Sequence, residues 1–140
     1  MPKTPIIYIT RRARFSACHR LHNQKLDAAT NKQIFGKCNN PNGHGHNYQL
    51  FVTLKGKADP KTGMLLNLTQ LDEIIEKNII NKFDHKNLNL DVSEFADIIT
   101  TAENICFVIW QILEDKLPTT FLYEVKLLET ENNFAIYRGE

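Results

Sequence analysis

The chain has 140 residues, of which 42% are hydrophobic and 24% are charged, and its formal net charge is +1. This length supports one domain with a hydrophobic core, so we expect a single domain over residues 1–140. The near-zero net charge provides no general basic field, which argues against a nucleic-acid partner. No apolar run in the sequence approaches the ~20 residues that span a membrane, and the N-terminal segment has no signal-peptide core. We therefore expect a cytoplasmic protein without a membrane partner.

The first half of the sequence predicts two strands. Residues 6–19 are rich in β-branched and aromatic side chains, as is typical of a strand. Residues 20–37 are polar and irregular and have room for a short helix. Residues 45–57 alternate apolar and polar side chains, the pattern of a half-buried strand, and a Pro/Gly turn follows at 58–63.

The second half predicts two helices and a hairpin. Residues 67–83 carry an amphipathic stripe, formed by Leu68, Leu71, Ile74, Ile75 and Ile79. A second helix is predicted over 100–117, with Thr100 and Glu103 as a capping box. Two short strands flank "ENN" near the C-terminus. This order predicts an α+β fold, with a four-stranded antiparallel sheet covered on one face by two helices. Association of copies of the chain would cover its open edges.

Two histidines at the start of the second strand indicate a metal site. Residues i and i+2 of a strand point to the same face, so His44 and His46 present their imidazoles side by side. His19 ends the first strand and is the preferred third ligand, whereas His22 lies in the polar loop. Three histidines would leave one coordination position open, as in catalytic zinc sites.

The role of Cys38 stays open on spacing alone. The chain has three cysteines, Cys18, Cys38 and Cys106, and an odd number argues against a disulfide framework. Cys38 could complete a closed, structural Cys–His₃ zinc site. It could instead stand off the metal as a base with a lowered pKa. Asp84 and His85 are adjacent in a polar loop and form a second acid–base candidate, since a carboxylate fixes the tautomer of a neighbouring imidazole.

Six segments, in order along nearly the whole chain, resemble the 6-pyruvoyltetrahydropterin synthase family. The most specific are "FGKCNNPNGHGHNY" and "DHKNLN"; the others are "RRARFSACHRLH", "DPKTGMLLNL", "TTAEN" and "ETENNFAIYRGE". The resemblance implies a zinc-dependent lyase that converts 7,8-dihydroneopterin triphosphate to 6-pyruvoyl-5,6,7,8-tetrahydropterin and triphosphate, in tetrahydrobiopterin biosynthesis. It also implies the tunnelling fold (T-fold), in which sheets of three subunits join into a barrel. Two such trimers stack into a homohexamer with active sites between subunits.

The resemblance also implies roles for individual residues. The zinc ligands fall on His19, His44 and His46, in agreement with the strand geometry, with one Zn²⁺ per chain. The catalytic cysteine falls on Cys38, and its partners on Asp84 and His85. The position that anchors the pterin falls on Glu129. Thr101 and Glu103 match positions that line the pterin pocket. Cys18 stands where relatives commonly carry a small residue, and we interpret it as a packing residue that faces away from the metal.

Two other functions fit the same residues. 6-Carboxytetrahydropterin synthase, of the queuosine pathway, shares the fold, the zinc and the substrate, but its relatives usually have fewer residues between the cysteine and the paired histidines. Five residues separate Cys38 from His44 here, which favours the pyruvoyl enzyme. A non-catalytic, zinc-stabilised binding module is the third reading, with Cys38 as a metal ligand.

Overall fold

A five-stranded sheet forms the framework of the computed structural model, which describes residues 3–118 and 121–140. The strands are β1 (Ile6–His19), β2 (His44–Lys57), β3 (Lys86–Asn87), β4 (Leu122–Leu128) and β5 (Phe134–Tyr137). Their order across the sheet is β3-β1-β2-β4-β5. All neighbours are antiparallel except β3, which pairs in parallel with β1. The predicted α+β class is confirmed, with the two-residue β3 as a strand beyond the four expected.

The pairing of β1 with β2 brings the histidines of the two strands together at one end of the sheet. The two strands pair without interruption from Ile6 opposite Lys57 to His19 opposite His44. The predicted first strand is confirmed at both ends, and the second begins one residue earlier than predicted. Alternation buries Phe15 and Tyr48 on the helix-covered face, where their rings stack with centroids 4.8 Å apart. His19 and His44 lie an even number of residues from Phe15 and Tyr48, so their side chains point to the same face of the sheet, nearer the strand ends.

The described residues contain the α-helices α1 (Ala28–Phe35), α2 (Leu68–Ile75), α3 (Asn81–Phe83), α4 (Leu88–Asp91) and α5 (Ala102–Lys116), with 3₁₀ turns at Gly36–Asn39 and Ser93–Phe95. Helices α2 and α5 cover one face of the sheet, whereas α1 packs on the 3₁₀ turn that follows it. The short helix expected within 20–37 is α1. Helix α5 packs against β4 and β5, and α2 packs against β1. Their apolar faces and the inner face of the sheet share a continuous core.

The helix predicted over 67–83 is present but changes its winding. A π-helical turn over Glu76–Ile80 joins α2 to α3. Ile75, Ile79 and Phe83, four residues apart, are all fully buried. Residues at this spacing share one face of a helix, and the π-helical turn leaves that face intact. Leu68, assigned to the buried stripe by periodicity, is 49% exposed because it occupies the first turn, beyond the sheet.

The predicted capping box of the second long helix is wrong by one residue. Thr101 is the N-cap of α5, and its hydroxyl accepts a hydrogen bond from the Asn104 N–H at 3.2 Å. Thr100 is fully buried and faces the end of the sheet instead. Glu103 lies exposed in the first turn, where a carboxylate is favoured by the helix dipole.

Two strand edges of the described sheet lack backbone partners. β3 pairs with β1 at Ala17 and Cys18 alone, which leaves the N-terminal part of β1 without a neighbour on that side. β5 forms the opposite edge. Large apolar side chains lie exposed along both edges, among them Ile6, Phe134 and Ile136. Within the described residues, no helix combines the length and apolarity needed to cross a membrane.

Candidate metal centre and active site

Three histidines converge at one end of the sheet. His19 lies opposite His44 in the β1–β2 register, and His46 lies opposite Ala17, on the same buried face. One ring nitrogen from each histidine lies within 4.8 Å of the others. This arrangement agrees with the expectation from strand parity. His22, set aside because it lies in the polar loop, is outside the cluster, and its Nδ1 accepts a hydrogen bond from the Asn39 side chain at 2.9 Å.

The hydrogen bonding of His19 fixes its tautomer. Its ring is fully buried, and its Nδ1 lies 2.7 Å from the Thr100 carbonyl oxygen. Since a carbonyl oxygen only accepts, Nδ1 carries the hydrogen and Nε2 keeps its lone pair. Nε2 lies 3.4 Å from the Tyr48 hydroxyl, a weak contact. The lone pair that a metal ion requires is therefore available at Nε2.

The other two histidines carry buried nitrogen atoms without partners. Nδ1 of His44 and Nε2 of His46 make no hydrogen bond with any described residue. Leaving a buried polar nitrogen unpaired costs about 1–3 kcal/mol. Unpaired nitrogens on two of the three clustered histidines, with the lone pair on Nε2 of the third, His19, fit a divalent metal ion.

Burial favours the neutral form of His19 and His46. It lowers the pKa of His19 to about 4; the hydrogen bond to Thr100 opposes this shift, and the neighbouring His44 and His46 add to it. Burial also lowers the pKa of His46, against the opposing charge of Glu129. Neutral imidazole is the form that binds metal ions, so the site is prepared for a cation near neutral pH.

Glu129 lies directly beside the histidine cluster, at the end of β4. Its Oε2 is 3.7 Å from Nε2 of His19, and its Oε1 is 3.8 Å from Nε2 of His46. These separations are too long for strong hydrogen bonds. The carboxylate is 21% exposed, so it borders the opening of the cluster and can reach a bound molecule. Its negative charge also favours a cation at the three histidines.

Cys38 lies on the 3₁₀ turn that precedes β2. Its thiol is free and partly buried. The turn is joined to the loop after His19, because the Cys38 carbonyl accepts from the Leu21 N–H at 2.9 Å. Asn39 strengthens this link by donating to the Leu21 carbonyl at 2.8 Å. Backbone pairing thus holds the cysteine close in the fold to the end of the strand that carries His19.

Asp84 and His85 form a pair at the edge of β1. One oxygen of Asp84 accepts from the Ser16 N–H at 2.8 Å, and the other lies 2.8 Å from Nδ1 of His85. The Ser16 hydrogen bond lowers the pKa of Asp84, with a further contribution from His85. His85 adopts a φ of 60° and its side chain is 82% exposed. It borders a shallow cleft shared with Cys18 and His46.

The predicted catalytic residues lie on two segments of the fold, with Cys38 on the turn bonded to Leu21 and the Asp84–His85 pair at the edge of β1. Among the described residues, no hydrogen bond or ion pair joins Cys38 to Asp84 or His85. Thr101 is partly buried at the start of α5, and Glu103 is exposed two residues further on, in the first turn. The residues that position the cluster through backbone groups were not predicted: Thr100 acts through its carbonyl oxygen, which every residue type carries.

Comparison with known proteins identifies the family. The family model described as 6-pyruvoyl tetrahydropterin synthase matches residues 8–140. A protein of Poecilia reticulata named 6-pyruvoyl tetrahydrobiopterin synthase is 51% identical over 139 residues, which cover 99% of this chain and 95% of that protein. The human protein of the same name is 50% identical over 132 residues, covering 94% and 91%.

Solved structures agree with these matches. The structure of Caenorhabditis elegans 6-pyruvoyl tetrahydropterin synthase has a TM-score of 0.95 at 40% identity, with both chains covered completely. A Plasmodium vivax structure at 16% identity and a TM-score of 0.68 supports the shared T-fold alone. The chain belongs to the 6-pyruvoyl tetrahydropterin synthase family.

Proposed function

We propose that the chain is a zinc-dependent lyase that converts 7,8-dihydroneopterin triphosphate to 6-pyruvoyl-5,6,7,8-tetrahydropterin and triphosphate, in tetrahydrobiopterin biosynthesis. Family membership supports the reaction. The observation that carries the zinc dependence is the cluster of three histidines, in which His44 and His46 each bury an unpaired ring nitrogen. His19, His44 and His46 would hold the ion. When bound, it supplies Lewis-acid stabilisation of negative charge on a substrate hydroxyl oxygen.

The reaction needs protons moved at carbon, and the chain supplies groups for this. Loss of the proton from the middle side-chain carbon expels triphosphate from the terminal carbon, and the resulting enol becomes a ketone with a terminal methyl group. The remaining hydroxyl-bearing carbon is oxidised to the second ketone, and its two hydrogens move to N5 and C6 of the ring, which becomes a tetrahydropterin. The oxidation and the reduction therefore balance within one molecule. Cys38, as thiolate, is the proposed base that removes a proton from carbon. Asp84 and His85 hold or relay that proton, and their 2.8 Å contact fits this role.

The pterin end of the substrate requires an acceptor. Two parallel N–H groups on the pterin edge match the two oxygens of a carboxylate, and Glu129 is proposed to bind them. Its place beside the histidines would hold a bound pterin with its side chain over the cluster. Thr101 and Glu103, at the start of α5, are proposed to line the pterin pocket.

The active form is proposed to be a homohexamer with active sites between subunits. Two features support this assembly: the open edges of the described sheet, and the placement of Cys38 and the Asp84–His85 pair on two segments of the fold. Pairing edge strands between copies satisfies backbone groups that would otherwise invite aggregation. A neighbouring chain could then supply the Asp84–His85 pair to Cys38.

The experiment is a product analysis with 7,8-dihydroneopterin triphosphate. Metal-free protein, and protein reconstituted with zinc, are incubated with the substrate, and triphosphate, pterin product and acetaldehyde are measured. We expect zinc-dependent release of triphosphate with the 6-pyruvoyl product and no acetaldehyde. Acetaldehyde with a 6-carboxy product would assign the chain to the queuosine-type reaction instead. If the protein binds zinc but does not turn over the substrate, the chain would instead be a metal-stabilised binding module.

A further inference from the structure

Asn89 connects three separate parts of the chain behind the histidine cluster. Its Oδ1 accepts from the Arg20 N–H at 2.7 Å, and its Nδ2 donates to the Arg20 carbonyl at 3.1 Å. The same Nδ2 donates to the Thr100 hydroxyl at 3.2 Å. One amide side chain thus pairs with both backbone groups of Arg20 and with Thr100, across 69 and 11 residues of sequence. Few other side chains could make these contacts together, because both a donor and an acceptor are needed.

The one-turn helix α4 holds Asn89 in place. Asn87 is its N-cap, and its Oδ1 accepts from the N–H groups of Asn89 and Leu90 at 3.0 and 3.2 Å. Asp91 closes the turn by accepting from the Asn87 N–H at 2.9 Å. The side chain of Leu88, between these polar groups, is fully buried in the core. These contacts therefore fix the backbone from which the Asn89 side chain projects.

Both partners of Asn89 adjoin a candidate metal ligand. Arg20 directly follows His19, and the Thr100 carbonyl accepts the Nδ1–H of His19 at 2.7 Å. The side chains of His19 and Thr100 are fully buried, so water does not substitute for these contacts. The orientation of the His19 ring thus depends on where Thr100 lies, and Asn89 helps to hold Thr100.

We propose that Asn89 is a positioning residue for metal binding at His19, an inference that rests on the proposed metal site. None of the hydrogen bonds of Asn89 joins it to His19, His44 or His46. It holds Thr100 and Arg20 so that the Thr100 carbonyl orients the His19 ring, with Nε2 facing His44 and His46. Without it, the cluster loses part of its preorganisation for a metal ion.

The test is metal affinity of the folded, metal-free protein, with Co²⁺ as the probe. Titration gives the dissociation constant, and the visible absorption bands of bound Co²⁺ report its coordination geometry. We expect Asn89→Ala to raise the dissociation constant about tenfold or more, with altered bands, as is typical when a partner of a metal ligand is lost. Asn89→Asp keeps an acceptor for Arg20 and for the Thr100 hydroxyl, so it should bind more tightly than Asn89→Ala.

Asn31 provides a matched control. Its Oδ1 accepts from the Asn23 N–H at 2.8 Å and its Nδ2 donates to the Asn23 carbonyl at 2.9 Å, the same pairing that Asn89 makes with Arg20. Asn31 is fully buried and has no bond to the histidine cluster. Asn31→Ala should lower thermal stability and leave the Co²⁺ dissociation constant unchanged.

Four outcomes would overturn the inference. One is an unchanged dissociation constant in Asn89→Ala, and another is an equal loss of affinity in Asn31→Ala. If Asn89→Ala does not fold, Thr100→Val removes the hydroxyl but keeps the carbonyl, and an unchanged dissociation constant in that variant contradicts the proposal. If wild-type protein binds no Co²⁺, the metal site itself is refuted, and the inference with it. This result is distinguishable from the other outcomes, in which wild type binds Co²⁺ and only the role of Asn89 fails.

Discussion

At the scale of single residues, burial decides the chemistry of the candidate site. Burial lowers the pKa of His19 to about 4, so its Nε2 keeps a lone pair at neutral pH. Tyr48 lies beneath the cluster, and burial together with the charge of Glu129 raises the pKa of its hydroxyl, which therefore stays protonated. The site thus combines neutral nitrogen donors with one carboxylate at its opening.

Asp84 is expected to act through its charge. Asp84→Asn keeps an acceptor for the Ser16 N–H but removes the negative charge beside His85. We expect triphosphate release to fall at least about tenfold, with the thermal midpoint little changed. The control is Glu94→Gln, since Glu94 is a carboxylate of lowered pKa paired with Lys82, away from the site. Equal rates in wild type and Asp84→Asn would contradict the role assigned to the pair.

Cys106 is expected to be inert. Burial raises the pKa of its thiol to about 12, and its Sγ donates to the Val125 carbonyl at 3.3 Å. Since the thiolate is the nucleophile, native protein treated with iodoacetamide at pH 8 should leave Cys106 unmodified. Mass spectrometry of native and urea-unfolded samples measures this. Modification in the native protein at the rate of the unfolded chain would show that the thiol is not buried.

At the scale of elements, the meeting of the three histidines could be predicted, because strand parity is a local rule. His44 and His46 share a face whatever the rest of the fold does. The β1–β2 register then brings His19 opposite His44, and the parities of both strands are visible in the sequence.

Contacts between distant segments could not be predicted in this way. The meeting of Asn89 with Thr100, and of Thr100 with His19, depends on how the loop before α5 packs against α4. The π-helical turn also escaped prediction. It leaves the buried face of the helix intact, so the spacing of apolar residues in the sequence does not reveal it.

The start of α5 offers a direct test at this scale. Thr101→Ala removes the hydroxyl that accepts from the Asn104 N–H, and the free energy of unfolding should fall by about 1 kcal/mol. Thr101→Ser keeps the acceptor and should lie close to wild type. Urea unfolding at one fixed protein concentration measures both, since association contributes to stability. Equal stability of the two variants would show that the cap contributes nothing.

At the scale of the whole molecule, the two open edges of the sheet are the places where copies of the chain can associate. The N-terminal part of β1 and the outer side of β5 present backbone groups without partners in the described sheet. Exposed apolar side chains such as Ile6 and Phe134 lie along them. Native proteins do not usually leave long apolar edges open. Edge-to-edge pairing between copies would also bring residues of two chains together at the candidate site.

Native mass spectrometry tests this expectation. We expect a species of six chains at micromolar concentration, each chain of 16.2 kDa. A species of three chains would show that edge strands pair between copies but that two trimers do not stack. A monomer with full activity would contradict both the assembly and an active site shared between subunits.

The most direct test of the account is Cys38→Ala, with bound zinc per chain and triphosphate release from 7,8-dihydroneopterin triphosphate measured on the same sample. Cys18→Ala is the control, because Cys18 neighbours His19 on β1 and faces the other side of the sheet. We predict that Cys38→Ala keeps its zinc and loses triphosphate release, while Cys18→Ala keeps both. Loss of zinc together with the fold in Cys38→Ala would make Cys38 a structural ligand and contradict the proposed mechanism.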